Sequence, residues 1–127
     1  MMVSSRDDLS SRFPDGVFAA NCPSRTVLEH VTSKWGALIL LVLSEGRPVR
    51  WSELRQRAEG ISEKMLAQTL RTLTDDGLVH RESRPVVPPY VEYSLTDRGR
   101  ELADLFVPVM SWIFDNAEAI TSRRKPA

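Results

Sequence analysis

Lys64, Gln68 and Arg71 recur at i, i+4 and i+7, so on a helix turning about 100° per residue they share one face. Donors arranged in this way suit the acceptor edges of nucleic acid. Lys and Arg donate to phosphates and to guanine, and Gln pairs with adenine. Leu66, Leu70 and Leu73 repeat with the same spacing on the opposite face and give the helix a side to bury, while small Ala67 sits among the donors. Ser62 stands at the N-cap position, where its hydroxyl and the first backbone N–H groups can hold a phosphate. Arg81 and Arg84 follow in a β-rich stretch beside a proline-rich loop, within reach of an adjacent minor groove. A solvated helix face carries the same pattern, so the reading depends on the elements around it.

The other reactive side chains are few. Cys22 precedes a helix start with Arg25 three residues on, a place where the helix N-terminus and a cation favour the thiolate. The alternative is a small buried cysteine that only packs. His30 and His80 are fifty residues apart with no Cys or carboxylate spaced around them as a metal site requires, so both read as structural, His80 with a hydrogen bond inside a hairpin. Asp75 and Asp76 directly precede Gly77 at a helix end, with no base, nucleophile or phosphate loop nearby, and read as a solvated turn. Trp35, Trp51 and Trp112 read as packing residues, and aromatics between two subunits can also line an effector pocket. No catalytic constellation, cofactor motif or metal set emerges.

The elements that must position these residues follow from the periodicities. Residues 1–20 are polar, contain Pro14 and Gly16, and read as a flexible arm. Pro23 and Ser24 open a first helix, with Ser24 as its cap and Val27, Leu28, Val31 and Trp35 on one face. Trp35 to Leu43 is apolar all round, which marks a buried central helix, and Gly46 and Pro48 end it. An extended piece at Val49 to Trp51 leads to a short helix from Ser52 carrying Leu54 and Ala58, then to a turn at Glu59-Gly60-Ile61 and the helix capped by Ser62. Two short helices joined by a Gly-bearing turn are the mark of a helix-turn-helix.

After Gly77 the period changes. Leu78–Ser83 and Val91–Leu95 read as a hairpin, and Pro85, Pro88 and Pro89 stiffen the loop between them into a projecting wing. Thr96 and Asp97 start a last helix whose stripe of Leu102, Leu105, Phe106, Val109, Trp112 and Ile113 exceeds what so small a domain can cover, which points to a second subunit. Pro108 should kink it. Residues 121–127, with Arg123, Arg124 and Lys125, read as a flexible basic tail. The expected architecture is mainly α with a small β-hairpin, one winged domain over residues 21–120.

Composition bounds the partners. Seventeen basic and seventeen acidic residues cancel, so affinity for a polyanion has to come from local sorting of charge. Residues 50–84 hold seven Lys/Arg against six Asp/Glu, which makes that sorting decisive. The longest apolar run is too short for a bilayer, nothing at the N-terminus looks like a secretory signal, and a lone cysteine fits a reducing compartment. The expected location is the cytoplasm.

From Cys22 to about Ile113 the sequence resembles the HxlR-type family of bacterial regulators, a branch of winged helix proteins similar to the MarR type. The residues that carry the likeness are Cys22-Pro23, Lys34-Trp35, Ser52-Glu53-Leu54-Arg55, Gly60-Ile61-Ser62 with Lys64 and Leu66, and Leu70-Arg71 with Leu73. It continues through Asp76-Gly77-Leu78-Val79, Arg81, Val87-Pro88-Pro89, Val91-Glu92-Tyr93-Ser94-Leu95-Thr96 and Gly99. The resemblance implies a homodimer built through the first and last helices, with Val27 on one and the Leu102-to-Ile113 stripe on the other. It implies two recognition helices on a pseudo-palindromic operator in double-stranded DNA. It also implies an oxidant, electrophile or other small molecule as effector, with Cys22 as the sensing position. Thr32-Ser33 and Trp51-Ser52 stand where the family usually has Gly-Gly and Phe-Gly. The competing readings are a winged helix turned to protein interaction and a ligand-responsive regulator without thiol switching.

Overall fold

The computed structural model describes residues 19–124. Helices α1 (Pro23–Thr32) and α2 (Lys34–Leu43) lead to strand β1 (Val49–Arg50), helices α3 (Trp51–Arg57) and α4 (Glu63–Asp75), strands β2 (Val79–Arg84) and β3 (Tyr90–Leu95), and the long helix α5 (Asp97–Ser122). The expected arm at residues 1–20 falls almost wholly outside the described residues. At the other end α5 continues through Ser122, so the expected tail begins as helix; residues 125–127 lie outside the description.

Helix α1 starts earlier than its composition suggests. Cys22, not Ser24, is the N-cap residue, and Pro23 takes the first helical position, where a missing N–H costs no hydrogen bond. The break between α1 and α2 is a bend of 73° at Ser33. The Ser33 hydroxyl accepts from the Gly36 amide at 3.1 Å and donates to the His30 carbonyl at 3.0 Å, so one side chain closes α1 and opens α2. Trp35 therefore belongs to α2 and not to the α1 face. Gly36 makes the bend feasible, because a Cβ there would lie 2.2 Å from the His30 carbonyl oxygen.

Helix α2 is the centre of the core. Ile39, Leu40 and Leu43 are fully enclosed, and Leu54 of α3, Leu66, Leu70 and Leu73 of α4, and Val49, Val79 and Tyr93 of the sheet close around them. At about 1.5–3 kcal/mol per buried aliphatic side chain, this cluster is the main force holding the helix-turn-helix to the sheet. Trp35 and Trp51 pack on its edge, as expected of them.

The sheet has three strands, not two. The short piece at Val49 and Arg50 pairs antiparallel with Tyr93 and Glu92, giving the order β1-β3-β2. The turn geometry follows the glycines: Gly60 (φ +93°) in the turn between α3 and α4, and Gly77 (φ +77°) just past the end of α4, occupy the left-handed region. Thr96 caps α5 by accepting from the Gly99 amide at 3.0 Å, and its hydroxyl donates back to the Gly77 carbonyl at 2.6 Å. The end of α4 and the start of α5 are thereby tied together. Helix α5 runs through Pro108, and its expected apolar stripe is open in the single chain: Trp112 is 60% exposed, with Leu105, Val109 and Ile113 also exposed.

Candidate nucleic-acid interface

Ser62 caps α4 as its position suggests: its Oγ accepts from the Met65 amide at 3.0 Å, and its hydroxyl proton remains available to a phosphate. The first amides of the helix have no intrahelical acceptor, which leaves a partial positive end facing outward. Lys64, Gln68 and Arg71 are all exposed on the side of α4 opposite buried Leu66, Leu70 and Leu73. Asp75 shares that side at its C-terminal end.

Arg71 and Arg81 line one cleft of about 200 Å³ between α4 and the sheet, walled by Trp51, Ala67 and Tyr93. Strand register explains why Arg81 is there. It lies across from Tyr93, whose ring enters the core, so Arg81 projects on the α4 side of the sheet. Arg84 lies across from Tyr90, three residues on and therefore on the opposite face. There it stands over the Tyr90 ring, 4.7 Å from its centroid, and 3.7 Å from Glu92. Arg81 thus joins the α4 donors, and Arg84 does not.

Charge sorting resolves the neutral composition. Arg57 bridges Glu45 and Glu53, Arg47 pairs with Glu53 at 2.5 Å, and Arg55 pairs with Glu63 at 3.0 Å. The Glu45 and Glu53 carboxyls are held below their ordinary range, chiefly by hydrogen bonds from Arg57 and Arg47 respectively. These pairs engage Glu45, Glu53 and Glu63 and, among the described residues, leave Glu59 of the turn without an ion pair. Lys64, Arg71 and Arg81 have no ion-pair partner among the described residues, so α4 and the adjoining strand keep three uncompensated cations on one side, with Asp75 at its end.

Asp76 differs from the expected solvated turn. Its carboxylate meets His30 Nδ1 at 2.7 Å, with both side chains largely covered, and this contact fastens α1 to the end of α4. His80 Nε2 is 3.8 Å from Glu82, too far for the hydrogen bond expected of it. Among the described residues no group of three His, Cys, Asp or Glu is placed to hold a metal.

Cys22 is 8% exposed at the start of α1. Hydrogen bonds from the Ser24 hydroxyl, then from the Ser24 and Arg25 amides, hold its thiol below the ordinary cysteine range, while burial works the other way. The residues that sequence reasoning missed are Arg50 and Tyr90 on the outer sheet face, and Phe114, which is 84% exposed beside the α5 stripe. The alternation of Tyr90 with Val91 was the available signal for the first pair.

A short helix, a glycine turn and a second helix with outward donors, backed by a three-stranded sheet that carries a proline wing, define a winged helix-turn-helix transcription regulator. The chain belongs to the HxlR-like helix-turn-helix family, whose model matches residues 30–121. It is 47% identical over 121 residues to the HTH-type transcriptional regulator YtfH of Escherichia coli strain K12, covering 94% of this chain and 95% of that one. A solved structure of the transcriptional regulator ytfH from Salmonella typhimurium superposes with a TM-score of 0.81 at 49% identity, over 87% of this chain and 98% of its own. The redox regulator HypR in its oxidized form matches at 37% identity and a TM-score of 0.67, over 75% of this chain and 97% of its own.

Proposed function

We propose that this regulator binds a pseudo-palindromic operator in double-stranded DNA as a homodimer, placing one α4 helix from each subunit in successive major grooves. The observation that carries the reading is the face of Lys64, Gln68 and Arg71, joined by Arg81, whose cations lack partners on a chain of zero net charge. Two-fold pairing through α1 and α5 accounts for the exposed Val27, Leu105, Val109, Trp112 and Ile113, with half-buried Phe106 beside them, whereas Leu102, expected in the same stripe, packs against the chain's own core. The winged domain occupies residues 21–120, and cytoplasmic DNA is its target.

The test is a gel shift with the duplex upstream of the protein's own gene. Specific binding should weaken steeply with salt, the log–log slope growing by about 0.9 for each phosphate contact. No binding to any duplex would favour the protein-interaction reading of the winged helix.

An oxidant or electrophile acting at Cys22 is the effector reading we favour, supported by the hydrogen bonds that favour its thiolate and by the similarity to a redox regulator. Diamide is expected to change the operator affinity of the wild-type protein and to leave that of Cys22→Ser unchanged. An equal response in both proteins would leave the thiol as packing and point to a different small-molecule effector.

A further inference from the structure

The outer face of the sheet carries a cluster that the DNA-reading surface does not use. Strand β3 is central, and Tyr90 at its start receives one guanidinium from each flanking strand: Arg50 of β1 at 4.2 Å from the ring centroid and Arg84 of β2 at 4.7 Å. The Tyr90 hydroxyl donates to Glu92 at 2.8 Å, and Glu92 in turn faces Arg84 at 3.7 Å. Glu92 is the most covered carboxylate of the group, its side chain 15% exposed. Arg84 has a second acid, Glu82, at 3.9 Å.

The place of this cluster in the chain gives it a consequence. Arg50 is at once the last residue of β1 and the N-cap residue of α3, the first helix of the helix-turn-helix. The tip of the wing beyond Arg84 is uncovered, with Val87 98% exposed and Val86 exposed beside it, and only its returning limb, at Pro89, borders Arg50 and Trp51. Only two residue pairs, Val49 with Tyr93 and Arg50 with Glu92, join β1 to the hairpin. A flat ring gripped from both flanking strands is therefore the chief side-chain link between the hairpin and the start of the helix-turn-helix on this face.

We infer that the Arg50–Tyr90–Arg84 stack fixes the direction of the wing relative to α4, and that Arg50, Tyr90 and Arg84 are positioning residues and not phosphate contacts. Arg81, on the other face, is the wing-strand cation that meets DNA. The inference rests on the DNA-binding reading for its consequence, but the stack itself is measurable without DNA.

Two measurements test it. In the free protein, amide exchange across the Val49–Tyr93 and Arg50–Glu92 pairing should quicken about tenfold in Tyr90→Ala and stay near wild type in Tyr90→Phe, which keeps the ring. On operator DNA, Tyr90→Ala and Arg84→Ala should weaken binding about tenfold with an unchanged salt slope, whereas Arg81→Ala should lower that slope by about 0.9. Unchanged exchange in Tyr90→Ala overturns the stack, and a slope reduced in Arg84→Ala as much as in Arg81→Ala makes Arg84 a contact. If the wild type binds no duplex while the exchange result holds, the DNA reading fails and the wing brace stands.

Discussion

Replacing Gly99 with alanine is expected to destabilise the protein by about 3 kcal/mol, as forced overpacking against backbone does. Gly99 lies in the first turn of α5, and a Cβ there would stand 2.0 Å from the Leu78 carbonyl oxygen and 3.2 Å from a Leu95 methyl carbon. The Leu95 side chain can give way, but the backbone neighbour cannot. The Leu78 carbonyl already accepts from the Thr96 amide at 3.1 Å, and Thr96 is tied by its hydroxyl to Gly77. Opening that junction separates α5 from the end of α4 and from β2 together. Denaturant unfolding should show a lower midpoint with the same slope. A midpoint equal to wild type would mean that the close approach relaxes at no cost.

The second large effect concerns α5 beyond its own domain. In the proposed dimer, Trp112→Glu should raise the dissociation constant about thirtyfold or more, since a central interface tryptophan carries about 2 kcal/mol or more and a carboxylate cannot be buried there unpaired. Trp112 is 60% exposed in the single chain, so its replacement removes no contact from the monomer core. The variant should keep its helix content and sediment as a monomer, and its operator affinity should fall with the loss of the second half-site. A dimer of unchanged stability would place the subunit contact elsewhere, with the Phe114 side of α5 as the next surface to test.

Much of this arrangement is legible in the sequence because several signals agree at the same positions. Helix α4 has its cap residue, its leucine period and its terminating glycine in order, and the structure keeps all three. The helix-turn-helix, the proline wing and the start of α5 at Thr96 were readable for the same reason. Where one signal stood alone, local chemistry prevailed. The apolar face of α1 ran on without a break through Trp35, and nothing in that period registers a serine able to serve both helices at Ser33. Strand β1 is two residues long, too short for alternation to appear.

The donor face itself was visible from i, i+4, i+7 spacing, but the membership of the wing arginines was not. The strand read from the sequence stops at Ser83, whereas β2 runs on through Arg84, and a period of two then sends Arg81 and Arg84 to opposite faces. The pairing that neutralises Arg47, Arg55 and Arg57 was equally hidden, because Glu45 reaches Arg57 from across the turn that follows α2. Net charge could not reveal which cations remain free. Only the three-dimensional sorting does so.

The most direct measurement of the central claim is the operator affinity of the Lys64→Ala, Arg71→Ala double variant beside wild type, at one fixed salt concentration. Both side chains are exposed and lie opposite the buried leucines, so the variant should unfold at the wild-type midpoint. Its affinity for the operator should drop by at least about 2 kcal/mol, more than tenfold, if the two residues contact bases or phosphates. A folded double variant that binds the operator as tightly as wild type would contradict the assignment of this face of α4 to DNA.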